Sequence, residues 1–168
     1  MVRRILGLDP GLRRTGWGIV EIDGSKLGHI AHGLISPDTS LDMAQRLSHI
    51  FKEICQVIDL HQPQDAAVEK TFVNNNPTTT LKLGEARGVV LLTPAYKGLK
   101  VSEYTANQIK KSVVGTGHAT KEQMKIMMQH VLPTCGALTS DTADALATAV
   151  CHAHFSTTSN FWNKGIAA

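Results

Sequence analysis

The chain has 168 residues, 42% hydrophobic and 18% charged, with a formal net charge of +3. That length suits one domain and is too short for two well-filled cores, and so mild a charge permits an anionic partner without demanding one. Cys55, Cys135 and Cys151 form neither a CxxC pair nor a zinc pattern, the start has no secretory apolar region, and no run approaches the ~18–20 apolar residues of a membrane span, so a cytoplasmic protein is expected.

Ile5 to Leu8 is a short apolar run ended by Asp9-Pro10-Gly11, which predicts a strand delivered into a turn. Thr15 to Ile22 predicts a second strand, Asp23-Gly24 a hairpin, and Lys26 to Ile35 a third strand, together an antiparallel meander. Thr39 and Asp42 fit a capping box; beyond them Leu47, Ile50, Phe51, Ile54, Val57 and Ile58 recur at helical spacing to about Leu60. The buried run Ala66-Ala67-Val68 then closes on Glu69. A strand reached through a long helix is a crossover and should lie parallel to the first.

Thr71 to Asn76 is polar except for Phe72 and Val73. Asn76 as cap and Pro77 in the first turn predict a helix to about Tyr96, stopped by Lys97-Gly98. Leu99 to Glu103 reads as an edge-like strand, followed by helices at 105–113 and 120–131. A last helix is expected from about Ser140 to His154, with a weakly ordered tail from Ser156. The fold class is α/β: one mixed five-stranded sheet with helices on both faces, in a domain over residues 1–155 and a tail over 156–168.

Four carboxylates carry the chemical interest. If the first and fourth strands are parallel neighbours, Asp9 and Glu69 emerge at the same carboxyl end of the sheet. Asp141 and Asp144, three apart, share one helix face. Small residues around them (Thr142, Ala143, Ala145, Ala147, Ala149) allow that helix to approach a sheet closely. Asp9 also suits a turn residue, and Asp141 a first-turn acid favoured by the helix dipole. Asp144 lies in a helix apolar on nearly every side and needs a partner, yet no nearby motif offers an Arg or Lys to either aspartate. Clustered carboxylates need cations between them, and all-oxygen ligation suits Mg²⁺ or Mn²⁺ rather than zinc. The matching chemistry is phosphodiester hydrolysis with two divalent ions.

A sugar-kinase or actin-like phosphotransferase shares the early strand ending in Asp and Gly, but normally has a far longer chain with two such lobes. No Gx4GK[ST], GxGxxG or GxSxG sequence is present. Between Lys97 and Lys125 stand six lysines and only two acids, Glu103 and Glu122. Lys110, Lys111, Lys121 and Lys125 read either as phosphate contacts or as an ordinary solvated face.

Asp9-Pro10-Gly11, Glu69, Lys82-Leu83-Gly84-Glu85-Ala86-Arg87-Gly88 and Asp141-Thr142-Ala143-Asp144-Ala145-Leu146-Ala147 occur in the order of the RuvC family, the bacterial Holliday junction resolvases, which the chain resembles from Ile5 to about His154. The resemblance implies a ribonuclease H-like fold, a homodimer, and Mg²⁺-dependent cutting of four-way junction DNA to leave 5′ phosphates. It implies Asp9, Glu69, Asp141 and Asp144 as catalytic residues and ligands of two Mg²⁺ ions, with Mn²⁺ as a substitute. Lys110 and Lys121 match basic residues near the family's active site, and Phe72 its aromatic junction contact. The helix over Pro77 to Tyr96, with Gly84 and Gly88, lies at the subunit interface in that family; from the residues alone, packing on its own sheet explains it equally well. RuvA and RuvB are the implied partners. A ribonuclease H acting on RNA–DNA hybrids and a non-catalytic junction-binding protein remain as alternatives.

Overall fold

The computed structural model describes residues 2–70 and 76–165, with side chains to residue 156. Its elements run β1 (Arg3–Asp9), β2 (Thr15–Asp23), β3 (Lys26–Ile35), α1 (Met43–His61), β4 (Asp65–Lys70), α2 (Pro77–Tyr96), β5 (Lys100–Thr105), α3 (Ala106–Val114), α4 (Lys121–Val131) and α5 (Ser140–Gly165). The strands form one sheet in the order β3-β2-β1-β4-β5. β1 pairs antiparallel with β2 and parallel with β4, and β5 lies parallel to β4 at the edge. This is the mixed sheet of the ribonuclease H-like fold.

Side chains alternate across a strand, and β1 uses both faces. Leu6 and Leu8 enter a core with Ile50 and Ile54 of α1 and Ala86 and Val90 of α2. Ile5 enters the opposite core with Leu146 and Val150 of α5, Ile109 of α3 and Met124 of α4. Helices therefore cover both faces, as expected. By the same alternation Gly7 and Asp9 share the face of Ile5.

Two boundaries differ from expectation. The cap of α1 is Asp42, whose side chain accepts from Gln45 N while Gln45 returns a bond to the Asp42 N–H. Thr39 sits one helical turn too early for that role. α3 and α4 are closed by matching boxes, Thr105 with Gln108 and Thr120 with Gln123. α5 continues to Gly165, past the expected end near His154. The stretch after His154 is polar, but it holds no proline and no glycine before Gly165, so nothing in it breaks a helix.

Candidate active site

Leu8 and Val68 are partners in the parallel β1–β4 ladder, so Asp9 and Glu69 leave the sheet side by side at its carboxyl end. They face α5, and the helix comes close because the sheet is bare beneath it. A Cβ on Gly7 would overlap the backbone oxygen of Ala145, and one on Gly16 the backbone oxygen of Asp141. With no side chain between, the short Asp144 reaches the strand ends. Thr139 and Thr142 bond reciprocally at the start of α5, fixing the turn that carries Asp141.

One carboxylate oxygen each from Asp9, Glu69 and Asp144 lies within 4.8 Å of the others. Asp141 joins them in lining a cleft of about 290 Å³, which Ala106, Ile109 and Lys110 of α3 and Lys121 and Met124 of α4 complete. The structure thus brings together the four acids and two of the lysines. Lys111 is exposed and absent from this lining. Lys125 turns to Glu122 at 3.6 Å, so its like-charge neighbour Lys121 is offset within the helix itself. Phe72 lies outside the described residues.

Burial pushes the Asp9 carboxyl up to about 8, with the charges of Glu69, Asp144 and Asp141 adding to it and Lys121 opposing. Burial likewise raises Glu69 to about 7, with Asp144 adding and Lys110 and Lys121 opposing. Asp144 is raised by burial and by Asp141, against the same two lysines. Three half-buried carboxylates whose joint ionisation is disfavoured by burial and mutual repulsion suit a cation of high charge density. An all-oxygen donor set of this kind fits Mg²⁺ or Mn²⁺.

No motif near the aspartates of α5 in the sequence offers them a basic partner, but the fold supplies both from a distance: Lys110 and Lys121 for Asp144, and Arg14 for Asp141. Arg14, in the turn between β1 and β2, brings Nε to 3.7 Å from Asp141 Oδ2. The signal lay in the hairpin register: Asp9 pairs with Gly16, so the whole turn from Pro10 to Arg14 must sit at the end of the sheet where Asp9 does. Two histidines of α5 take packing and surface positions. His152 is buried and bonded to Tyr104 Oη at 2.9 Å, and His154 is exposed beside Ser112 Oγ at 3.0 Å.

Comparison with known proteins agrees with this geometry. The family model described as crossover junction endodeoxyribonuclease RuvC matches residues 5–152. The RuvC of Paramagnetospirillum magneticum is 58% identical over 151 residues, covering 90% of this chain and 91% of that protein. That of Caulobacter vibrioides is 54% identical, covering 90% and 89%. Among solved structures, Thermus thermophilus RuvC in complex with a Holliday junction substrate superposes with a TM-score of 0.86 at 28% identity, covering 94% of this chain and 96% of that one. A family match that spans all five strands and reaches into α5, together with relatives more than half identical, settles the assignment: the chain belongs to the RuvC family of crossover junction endodeoxyribonucleases.

Proposed function

We propose that this protein resolves four-way DNA junctions by hydrolysing phosphodiester bonds at the cluster of Asp9, Glu69, Asp141 and Asp144. The observation that carries the reading is the convergence of three carboxylate oxygens within 4.8 Å at the carboxyl end of a ribonuclease H-like sheet. Two Mg²⁺ ions, or Mn²⁺ in their place, would activate water as the nucleophile and stabilise charge on the leaving oxygen. Asp9, Glu69 and Asp144 would hold them, with Asp141 completing the set from the same cleft wall. In the absence of a cation Asp9, raised to about 8, largely keeps its proton at neutral pH and Glu69, raised to about 7, keeps it about half the time, so loading the site would release protons. Lys110 and Lys121 face the acids from α3 and α4, where they lower the cost of ionising them and can bind the oxygens of an incoming phosphate. Lys111 and Lys125, outside the cleft, would contact flanking backbone. Phe72, three residues beyond Glu69, would stack on a base unpaired at the crossover.

The protein is proposed to work as a homodimer through α2. Among the described residues, nothing outside their own stretch of helix lies within 4 Å of a Cβ added at Gly84 or Gly88, which favours the interface reading over packing on their own sheet. RuvA and RuvB are its proposed partners. Free thiols at Cys55, Cys135 and Cys151 suit the cytoplasm, and no helix among the described residues is long and apolar enough to cross a membrane. The test offers the purified protein a synthetic four-way junction, a matched duplex and an RNA–DNA hybrid, each in Mg²⁺ and in EDTA. Symmetric nicks with 5′ phosphates in the junction alone, and only in Mg²⁺, are expected. Preferential cutting of the hybrid would favour a ribonuclease H instead, and uncut junction in Mg²⁺ would leave only a binding role.

A further inference from the structure

Arg14 stands at the edge of the site without lining it. Its Nε lies 3.7 Å from Asp141 Oδ2 while its side chain is 63% exposed, so it stays largely open to solvent beside an acid that lines the cleft. The turn that carries it is held by three hydrogen bonds, two across the turn itself and one from α1. Thr15 Oγ1 donates to Gly11 O at 2.7 Å, Gly11 N donates to Thr15 Oγ1 at 3.4 Å, and Arg46 of α1 donates to Leu12 O at 3.0 Å. Arg14 also approaches from the β1–β2 side, whereas Lys110 and Lys121 come from α3 and α4. Asp141, its partner, is the acid outside the tight group of Asp9, Glu69 and Asp144.

We propose that Arg14 is a phosphate-binding residue on the rim of the cleft, paired with Asp141 in the metal-free protein and transferred to a DNA backbone phosphate when Asp141 takes up a divalent cation. The inference rests on the four-carboxylate reading above. A guanidinium suits either role, because its planar donors match a carboxylate and a phosphate alike. Once a cation shares Asp141, the attraction that holds Arg14 there weakens and its free donors face the place where the strand must pass. With lysines on one wall and Arg14 on the other, the backbone is gripped on both sides of the bond to be cut. Arg14, being on the rim, takes a flanking phosphate and not the scissile one.

The test compares wild type, Arg14→Gln and Arg14→Lys in two measurements that need no turnover. The first is affinity for a four-way junction against salt, in Ca²⁺ with the junction verified uncut, and in EDTA. In Ca²⁺, Arg14→Gln should lower the slope of log affinity against log salt by about 0.7–0.9 per bound chain, the weight of one phosphate contact. Arg14→Lys should keep the slope, and in EDTA the difference should shrink. The second is calorimetric titration of the DNA-free protein with Mn²⁺, where loss of the competing cation should tighten binding about 1.5–5-fold in Arg14→Gln. An unchanged salt slope in Ca²⁺ would overturn the phosphate role. Weaker Mn²⁺ binding in Arg14→Gln would mean that Arg14 only props Asp141, and would overturn the transfer. Either failure leaves Mg²⁺-dependent junction cutting by wild type in place, so it is distinct from failure of the proposed function.

Discussion

Asp9 is buried among three other carboxyls, and ionising it there works against the fold. Its ordinary value is 3.8, and burial with three neighbouring carboxyls raises it to about 8. Glu69 rises from 4.5 to about 7. The folded, metal-free protein therefore binds these protons more tightly than the unfolded chain does, and stability declines as pH rises from about 4 towards 8. Divalent cations favour the ionised form, so 10 mM Mg²⁺ should raise the melting temperature more at pH 8 than at pH 5. Asp9→Asn removes that cost as well as a ligand. In EDTA at pH 8 it should melt about 3–8 °C above wild type, and it should lose most of the gain given by Mg²⁺. A variant less stable than wild type under those conditions would show that Asp9 is held by favourable partners and not by a missing cation.

Among the elements, α5 depends on what the sheet lacks. The small residues of the helix were legible in the sequence, as were the spacing of Asp141 and Asp144 and the parallel pairing that aligns Asp9 with Glu69. The matching glycines of the sheet were not, because the face a strand residue takes is fixed only once its partner helix is known. Arg14 escaped for a related reason: it meets Asp141 across a long sequence separation, through a turn whose position follows from register. The limit of α5 was misjudged because weak apolar periodicity ends the visible pattern without ending the helix. Gly7→Ala would drive a methyl group into the Ala145 carbonyl, and we expect a loss of about 3 kcal/mol, or 6–12 °C in melting temperature, with slower cleavage as α5 lifts. Gly28→Ala, whose added Cβ meets only Glu21 O at 4.0 Å, should melt close to wild type. Equal melting of the two variants would mean that α5 can retreat freely from the sheet.

At the scale of the whole molecule, one face of α2 is too apolar for a solitary chain. Leu81, Leu92 and Tyr96 are 66%, 60% and 73% exposed, and helical spacing puts them in one stripe with Gly84 and Gly88. Leu81→Glu with Leu92→Glu should convert a dimer into an 18.2 kDa monomer in sedimentation, with α-helix content unchanged. A dimer that survives both charges would place the interface elsewhere. A junction has two strands to cut, and a dimer of single-site chains supplies two clusters, one for each cut. The measurement that tests this most directly is single-turnover cleavage of a four-way junction in Mg²⁺ by wild type and Asp144→Asn, with junction affinity measured on the same samples. Asp144→Asn is expected to bind within about threefold of wild type while cleavage falls at least about 10³-fold, roughly 4 kcal/mol of lost transition-state stabilisation. Cleavage within tenfold of wild type would contradict this, since the carboxylate cluster could not then be where the bond is broken.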